Sequence, residues 1–388
     1  MGKSQGHRPN THFRKALRSH KLRCLTPVLR TLNRDIITPN VWTIVGTDQS
    51  SGDCLSIIYF GTEVNKNYIS HVLFAGNCQE TFIGRYYFWS IPYILRKTCL
   101  NCSLIVIETN YLLRRIYQDK GDFYVPLWLS GEADIPLVAS NESAKSDLRK
   151  IHNNNLGFIV THELSQFHNF YHNMYLPYVK QRYQYTTIIM DYEHMMQWAN
   201  DERFELLLVE KGGAFIAGMV LAFDKDIPRL RRMGIKDANR SYLEDGAGAA
   251  LYYFSSVYLK ERGYQSMNTG FSRAFLRDGV LQYKKKWGVR VAGYSYRGFL
   301  LKPVSLSPGV RGLLHRNPFV YVDKGRLWAA VFVENYPQLS KKNLERLQKE
   351  WSLAGLSGLF IYGCGEGEDQ LDRTWTTMFR NDGLVVKG

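Results

Sequence analysis

The sequence predicts an α/β (α+β) protein built around a mixed β-sheet that is flanked by helices, and three features predict this class. Residues 41–140 contain short apolar runs of strand length, separated by Gly, Asp and Asn. Residues 204–224 contain two apolar runs joined by EKGG, which is a strong hairpin signal. Residues 243–264 form an apolar helical pattern that is opened by glycines and ended by Gly263. With strands on either side of these elements, the order is that of an α/β unit with a mixed sheet.

The chain is expected to contain more than one domain, because 388 residues exceed the usual size of one hydrophobic core. A polar segment at 139–155 marks a change of composition between two of them. The last segment holds a strand, a helix and a strand, and it is expected to dock on the first domain because it is too short to fold alone. The predicted units are a basic N-terminal tail (1–40), an N-terminal domain of strands with one or two helices (41–140), a second domain (141–304) and the C-terminal strand–helix–strand segment (305–388).

The charge balance favours anionic partners. The chain has 50 Lys+Arg against 35 Asp+Glu, a formal net charge of +15, which suits nucleic acid, an anionic membrane surface or a phosphate-bearing cofactor. Nine of the basic residues lie between Met1 and Arg34, where there is no acidic residue. This stretch is either a solvated tail or an arm that binds a surface.

Several classes of protein are disfavoured. No apolar run approaches the roughly 18–20 residues of a membrane-spanning helix, and the N-terminus has no signal-peptide core, so a cytoplasmic location is expected. The six cysteines, with one CxxC at Cys99 and Cys102, form no disulfide framework. His168 and His172 share a helical face, but no acidic third ligand stands nearby, so no metal site is expected. The motifs of serine hydrolases, P-loop enzymes and Rossmann dehydrogenases do not occur in the sequence.

Residues 271–288 (FSRAFLRDGVLQYKKKWG) predict a capped amphipathic helix. Its inward stripe recurs at spacings of four, three and four residues: Leu276, Val280, Tyr283 and Trp287. Asp278 is placed as the N-cap, and Gly288 ends the helix. Lys284 and its two basic neighbours suit the helix dipole and are either solvated or bind a ligand. Tyr283, a phenol on the inward stripe, is the first candidate for chemistry.

A second candidate site lies at EDGAGAAL, residues 244–251. Glycines 246 and 248, on either side of Ala247, precede a long apolar helix, and the free N–H groups of its first turn suit a phosphate. The alternative is that the glycines only ease a tight entry into the helix. Glu210, at the turn of the predicted hairpin, is either a general base for an amine or an ordinary loop residue.

Residues 166–183 predict a helix with an aromatic stripe that includes Tyr171 and Tyr175, and Pro177 is expected to break or kink it. The two tyrosines line an acceptor pocket or belong to the core. We assign them to acceptor binding together with Arg182 and Asp278.

The segment GAALYYFSSVYLKERGYQSMNTGFSRAFLRDGVLQYKKKWG (248–288) resembles the Gcn5-related N-acetyltransferase (GNAT) superfamily, specifically its Fem-like, BioF2-like acyltransferase branch. The shared pattern is a glycine-rich entry, a helix ending in RGY, a short strand ending in Gly, and SRxFLxDGVLxYKxKWG. The upstream segments SAKSDLRKIHNNNLGFIVTHE and FYHNMYLPYVKQRY resemble the same branch, so the resemblance covers about 143–302.

The resemblance implies two GNAT-like halves, of which the N-terminal one is degenerate, and transfer of an acyl group from a thioester to an amine or hydroxyl. It implies that the donor's pyrophosphate lies on Gly246, Ala247 and Gly248, with Arg273 and Lys284 holding donor phosphates. Tyr283 is then the candidate that protonates the leaving thiolate. The base is left open between Glu210, Glu244 and the neighbouring Asp245.

The donor and acceptor are left open as well. Acyl-CoA or an acyl-carrier-protein thioester is the leading donor, with no metal, and the acceptor is a small molecule or a lipid- or sugar-linked group. Aminoacyl-tRNA is the alternative donor, because Fem-like aminoacyltransferases use it and the basic chain suits RNA. A third alternative is a non-catalytic binding protein on the same fold.

Overall fold

The structure is a computed structural model that describes residues 34–47, 52–98, 102–183, 189–223, 225–334 and 339–364, together with the backbone of 376–380 and 383–387. Most of the predicted basic tail (1–33) and Cys99 therefore lie outside the described residues.

The described elements are numbered in chain order. The strands are β1 (Asn40–Thr47), β2 (Cys54–Gly61), β3 (Cys78–Arg85), β4 (Leu104–Asn110), β5 (Phe123–Pro126), β6 (Leu129–Asp134), β7 (Gly157–Thr161), β8 (Phe204–Lys211), β9 (Ala214–Ala222), β10 (Arg229–Ile235), β11 (Ser266–Ser272), β12 (Arg290–Tyr294), β13 (Arg297–Pro303), β14 (Phe319–Asp323), β15 (Arg326–Val333), β16 (Gly358–Gly363), β17 (Thr376–Arg380) and β18 (Gly383–Lys387). The α-helices are α1 (Arg34–Ile37), α2 (Glu63–Phe74), α3 (Ile91–Thr98), α4 (Arg114–Tyr117), α5 (Glu142–Asn153), α6 (Leu164–Asn169), α7 (Leu176–Tyr183), α8 (Tyr192–Ala199), α9 (Arg240–Glu244), α10 (Ala247–Glu261), α11 (Gly279–Lys286), α12 (Pro308–Arg316) and α13 (Lys341–Trp351). Shorter turns are 3₁₀ at Phe88–Ser90 and Lys236–Ala238, and a π-helical segment is Phe170–Tyr175.

These strands form three mixed sheets, which confirms the predicted α/β class. Sheet A has the order β3-β1-β2-β4-β13-β5, sheet B has the order β12-β6-β11-β10-β9-β8-β7, and sheet C has the order β14-β15-β16-β17-β18. Helices pack on sheets A and B, and their apolar faces form the cores.

Sheets A and B repeat one central pattern. In sheet A, β1 is antiparallel to β2, and β2 is parallel to β4. Next, β4 is antiparallel to β13, and β13 is antiparallel to β5. In sheet B, β9 is antiparallel to β10, β10 is parallel to β11, β11 is antiparallel to β6, and β6 is antiparallel to β12. We call sheet A with its helices the first half and sheet B with its helices the second half. The repeat supports the two-half architecture.

The two halves exchange one strand each. β6 follows β5 directly in the chain but lies between β11 and β12 of sheet B, while β13 follows β12 but lies between β4 and β5 of sheet A. The two connections meet where they cross, because the Trp128 N–H donates to Ser295 Oγ (3.1 Å) and the Ser295 N–H donates to the Trp128 carbonyl (2.9 Å). The sheets therefore do not follow the limits drawn at residues 140 and 304.

Sheet B separates two apolar layers. One face carries a core with α5, α10 and α11, which includes Leu207 and Met219. The other face packs on α6, the π-helical segment, α7 and α8 through Leu208 and Val220. The alternation of neighbouring residues between the faces is the period of two that a strand buried on both sides requires.

The C-terminal segment contains the predicted strand, helix and strand as β15, α13 and β16, and β14, β17 and β18 extend them into sheet C. Its aromatic residues share a core with the first half. The Phe123 ring of β5 makes edge-to-face contacts, at centroid distances of 5.2–5.7 Å, with four rings of this segment: Phe319, Tyr321, Phe332 and Tyr362.

One expectation of secondary structure was wrong. The sequence of residues 289–304 (VRVAGYSYRGFLLKPV) has the pattern of one long strand, but the chain turns at Ser295-Tyr296 and its two strands enter different sheets. Pro177, expected to break or kink its helix, is the second residue of α7 and follows the π-helical segment, so the α-helical geometry is interrupted just before it. The helices expected among the short runs of residues 41–140 include α2 and α3, at the apolar runs 68–76 and 91–97.

Candidate functional site

The second half contains an opening between two of its central strands. β10 and β11 are parallel neighbours, yet they pair only at Arg229 and Asn268, near the start of each strand. Beyond that pair, β10 continues to Ile235 and β11 to Ser272 without pairing with each other. The strands therefore diverge toward their carboxyl ends, where α10 begins.

Each of these two strands carries a β-bulge directly beyond the shared pair. The pairing of β10 with β9 shifts between Leu230 and Arg232, which leaves Arg231 as the extra residue. The pairing of β11 with β6 shifts between Asn268 and Gly270, which leaves Thr269 as the extra residue. A bulged residue leaves the ladder locally unpaired and aims its backbone groups in new directions, and bulges are frequent beside active sites.

The glycine-opened end of α10 lies at the carboxyl ends of these strands. Gly246 has a φ of 100° and caps the helix, and a Cβ added there would lie 3.1 Å from Lys150 Cβ of α5. Gly246 and Ala247 are buried, whereas Gly248 is partly exposed. Close packing against α5 therefore explains why residue 246 is a glycine, and the first turn of α10 is partly exposed at Gly248.

The candidate carboxylates lie at the same end of sheet B as the start of α10. Lys211 Nζ, at the tip of the β8–β9 hairpin, forms an ion pair with Asp245 Oδ2 (2.7 Å), so the tip that carries Glu210 lies next to the start of α10. Glu244 is exposed on α9 and pairs with Arg240 at 3.0 Å. Lys150 and Lys211 therefore place positive charge around the Gly246–Gly248 turn.

Tyr283 lies on the inner side of α11, as its place on the helical stripe predicted. Its ring meets Tyr252 of α10 edge-on at 5.3 Å, and Lys286 Nζ lies 4.7 Å from its centroid. Among the described residues, neither Tyr283 Oη nor the buried Trp287 Nε1 has a hydrogen-bond partner. Burial raises the pKa of Tyr283 well above that of an ordinary phenol, so the hydroxyl stays protonated.

Tyr178 of α7 is buried in the core against which Tyr283 packs, whereas its neighbour Val179 belongs to the core on the other face of sheet B. A charge on Tyr178 would contribute to the raised pKa of Tyr283, after burial and the larger effects of Tyr252 and Asp147. Arg182 donates to Tyr178 Oη at 2.7 Å.

Arg273 follows β11 but turns toward the first half. Its guanidinium lies between two aromatic rings, 4.0 Å from the Tyr68 centroid and 3.9 Å from the Trp128 centroid, and donates to Asn65 Oδ1 at 3.1 Å. Burial lowers its pKa, and the two rings and the amide hold the cation in place. The side chain therefore joins the halves at the crossing of the exchanged strands.

Lys284 and Asp278 support the strand-to-helix connection. Asp278 accepts from the Leu281 N–H at 2.9 Å, which confirms it as the N-cap of α11, and burial raises its pKa. Lys284 is 2% exposed and its Nζ donates to the Phe271 carbonyl at 2.9 Å. Burial lowers the pKa of Lys284 to about 7, although the charge of Asp278 opposes the shift.

Tyr171 and Tyr175 are both buried in the core on the α6–α8 face of sheet B. Both bind the backbone of Met190: the Tyr171 hydroxyl donates to its carbonyl (3.0 Å), and its N–H donates to Tyr175 Oη (3.0 Å). Their hydroxyls thus hold the backbone that leads into α8, and the two tyrosines belong to a different core from that of Tyr283.

The matching place in the first half is closed by its own side chain. β2 and β4 pair over four residues, and a carboxylate, Glu108, stands directly after the last pair. Glu108 Oε2 accepts from the Tyr59 hydroxyl (3.1 Å) and from the N–H and hydroxyl of Thr62 (3.0 and 2.9 Å), which precedes α2. Its other oxygen is paired with Arg297 of the exchanged strand β13. Burial raises the pKa of Tyr59, which keeps this donor neutral.

Sequence reasoning missed Tyr178 and the bulge at Arg231. Tyr178 stands one helical turn before Arg182, so an i, i+4 reading of α7 would have joined the two. Arg231 belongs to RLRRMGI, a strand with three arginines whose alternation is interrupted by the extra residue, so a search for strict period two overlooks it.

The described residues have two further properties, which concern membrane spans and metal ligands. None of the helices formed by the described residues has the length and apolar character to cross a bilayer. Within the same part of the chain, no three side chains of the metal-binding types gather in one place.

No family model matches the chain, and a search of the curated proteins finds no match. Solved structures to which the chain is similar include FemX (12% identity, TM-score 0.34, covering 70% of this chain and 86% of that one). They also include L-PGS from Bacillus licheniformis (11% identity, TM-score 0.33, covering 66% and 82%) and a GCN5-related N-acetyltransferase from Kribbella flavida (8% identity, TM-score 0.28, covering 75% and 66%). At these TM-scores the function has to be argued from the chain's own residues.

Proposed function

We propose that the chain is a GNAT-like acyltransferase that moves an acyl group from a thioester to an amine or hydroxyl at the opening between β10 and β11. The observation that carries the proposal is the divergence of these parallel strands, with a bulge on each at Arg231 and Thr269. The opening interrupts the ladder of a sheet whose first face also packs against Tyr283, in the half that also carries the sequence resemblance.

The donor fits this opening in two parts. A thioester carbonyl placed beside the bulge of β10 would accept from a backbone N–H there, which stabilises the oxyanion that develops on attack. The donor's phosphates would lie at the first turn of α10, near Gly248, Lys150 and Lys211, because N–H groups and nearby cations favour an anion. Acyl-CoA and acyl-carrier protein both present such a phosphate-linked thioester.

Tyr283 is proposed as the proton donor. The acceptor nitrogen or oxygen attacks the carbonyl carbon, the new C–N or C–O bond forms, and the C–S bond breaks. The thiolate takes the proton of the Tyr283 hydroxyl, and the proton lost by the acceptor passes to a carboxylate or to water, from which the phenolate is restored. A phenol that burial keeps protonated suits a donor of protons and does not suit a base. Glu210 and Glu244 remain candidates for the base, acting directly or through water.

Aminoacyl-tRNA remains the alternative donor, since the net charge of +15 favours RNA. It predicts RNA that copurifies with the protein and binding that weakens steeply with salt. A non-catalytic binding protein would bind a ligand at the opening with no turnover. Mass spectrometry of the small molecules and RNA released from the purified protein separates these cases.

The direct test is thermal unfolding with coenzyme A, acetyl-CoA, longer acyl-CoAs and aminoacyl-tRNA. A donor at 100 times its Kd stabilises the folded state by about 3 kcal/mol, which gives a measurable rise in Tm. Deleting Arg231 removes the bulge, and we expect it to abolish that rise. Arg231→Ala keeps the extra residue and loses only the side chain, so it should retain most of the rise. No shift with any thioester or tRNA, or an undiminished shift after the deletion, would overturn the proposal.

A further inference from the structure

An exposed stripe of aromatic and basic side chains lies on the first half, away from any role found above. The 3₁₀ turn at Phe88–Ser90 continues directly into α3, and its exposed positions follow helical spacing. Trp89 is 60% exposed and Tyr93 67% exposed, and the Tyr87 ring stacks on Trp89 at 4.5 Å and 7°. We call these side chains and the cations that follow them the aromatic–basic stripe: Tyr87, Trp89, Tyr93, Arg96 and Lys97.

The opposite face of this segment is anchored in the core. Ile91 and Ile94 are buried among the apolar residues of β1, β2 and β4. The Phe88 carbonyl accepts from the Tyr117 hydroxyl at 2.5 Å. The stripe is therefore held outward by a fixed element, and its three rings contribute little to the interior. Three large aromatic side chains exposed within seven residues are unusual for a surface with no partner.

Charge complementarity indicates an anionic partner. From residue 81 to residue 107 the chain has no Asp or Glu, whereas Arg96 and Lys97 of the stripe are exposed. Arg85, also exposed, lies 3.7 Å from Asp35 and donates to the Thr38 carbonyl (2.9 Å). The stripe therefore carries cations and has no acidic residue within its own segment.

We propose that the aromatic–basic stripe docks the protein on an anionic lipid surface. Tyr and Trp rings favour the headgroup level of a bilayer, where their apolar bodies and polar edges are both satisfied. Lys and Arg next to them bind anionic headgroups, and a helix with one apolar-anchored face and one aromatic–basic face lies in the plane of the interface. This docking does not depend on the acyl-transfer proposal.

The geometry favours a lipid surface over single-stranded RNA. RNA-binding proteins offer free ring faces on which bases stack, along a groove that follows the phosphates. Here Tyr87 and Trp89 stack on each other, so each has already used one face. Arg96 and Lys97 follow the rings along the same helical face, which suits headgroups that lie around and below inserted rings.

The test is co-sedimentation of the full chain with vesicles of phosphatidylcholine, with and without 30% phosphatidylglycerol (a composition of roughly this order reproduces an anionic leaflet). We expect binding to the anionic vesicles only, and we expect Trp89→Ser with Tyr93→Ser to weaken the partition coefficient by tenfold or more. Arg96→Glu with Lys97→Glu should do the same. The matched control is Tyr296→Ser, since Tyr296 is also 67% exposed but lies between β12 and β13, and it should leave binding unchanged.

A second measurement tests whether the Trp89 ring lies at the headgroup level of the bilayer. Lipids brominated near the headgroup end of their acyl chains should quench part of the emission of the eight tryptophans, and Trp89→Phe should remove that quenched part. Absence of vesicle binding, equal loss with Tyr296→Ser, or quenching unchanged in Trp89→Phe would each overturn the proposal. So would tRNA binding that depends on Trp89 and Tyr93 while vesicles are ignored, because the stripe would then be an RNA surface.

Discussion

The two halves of the molecule have the same strand order but differ at the central parallel pair of strands. In the first half, β2 and β4 stay paired over four residues, and Glu108 fills the space beyond them with a carboxylate that accepts from Tyr59 and Thr62. In the second half, β10 and β11 part after one pair, with bulges on both strands. The first half thus fills the space beyond its parallel pair with a carboxylate of its own, whereas in the second half the two strands separate there.

The same contrast applies to buried charge. Glu108 and Arg297 form a pair, and hydrogen bonds to Tyr59 and Thr62 use the remaining capacity of the carboxylate. Lys284 in the second half is buried to a similar extent, but the contact of its Nζ is the Phe271 carbonyl. A buried ion pair whose other hydrogen bonds are satisfied largely offsets its desolvation cost, whereas a buried ammonium held by one carbonyl lowers stability and keeps a titratable group beside β11.

The largest effect is expected from Glu108→Ala. The change leaves Arg297 without its carboxylate and Tyr59 and Thr62 without an acceptor, so the free energy of unfolding should fall by about 3 kcal/mol or more. Guanidinium unfolding measures it. Glu244→Ala, which breaks an exposed pair with Arg240, should cost less than about 1 kcal/mol. A loss from Glu108→Ala no greater than this control would show that the first half is not closed by the carboxylate.

An intermediate effect is expected from Lys284→Met, and it depends on pH. The pKa of Lys284 is about 7 in the folded protein against 10.5 for an ordinary lysine, so between these values the unfolded chain binds more protons than the folded one. The lysine therefore makes stability rise with pH from about 7 to 10, at roughly 1 kcal/mol per pH unit, with its full cost present below pH 7. Lys284→Met should remove this rise and increase stability at pH 6.

The control for this change is Lys342→Met, on the exposed face of α13. It should leave the pH dependence of the unfolding free energy as it is in the unchanged protein. If the two variants have the same profile from pH 6 to 10, then Lys284 is charged and compensated in the folded state, and the halves do not differ in this respect.

The smallest effect on stability is expected from Tyr283→Phe. Because Tyr283 Oη has no hydrogen-bond partner among the described residues, its removal should change the free energy of unfolding by less than about 1 kcal/mol, in the stabilising direction. Tyr178→Phe removes an acceptor from Arg182 and should cost about 1 kcal/mol. Calorimetry of both variants compares them. With a donor identified, Tyr283→Phe should also slow turnover more than tenfold, and unchanged turnover would exclude it as the proton donor.

Local sequence signals were enough for the ends of α11 and for the β8–β9 turn. Asp278 caps α11 and Gly288, with a φ of 72°, ends it, because both interactions are made within a few residues. The EKGG turn was predictable for the same reason, since Gly212 and Gly213 both take a positive φ.

Signals that depend on distant residues were not readable. Nothing in VRVAGYSYRGFLLKPV shows that its first part pairs with β6 and its second with β4, because both parts are equally apolar. The place of Arg273 likewise depends on Tyr68 and Trp128, which come from other parts of the chain. Tyr178 likewise looks like one more aromatic residue of a helix, and its place in the core against which Tyr283 packs depends on residues that are far away in the sequence.

The exchange of β6 and β13 has a consequence for synthesis on the ribosome. β4 pairs with β13 from Asn110–Arg297 to Leu104–Pro303, so sheet A cannot close until most of the chain has been made. Until then the edge of β4 offers unpaired N–H and C=O groups and an apolar surface, which are the features that invite aggregation of nascent chains. Contacts this far apart in sequence also slow folding. Each sheet needs a strand from the other part of the chain, so we expect the two halves to fold together and late in synthesis.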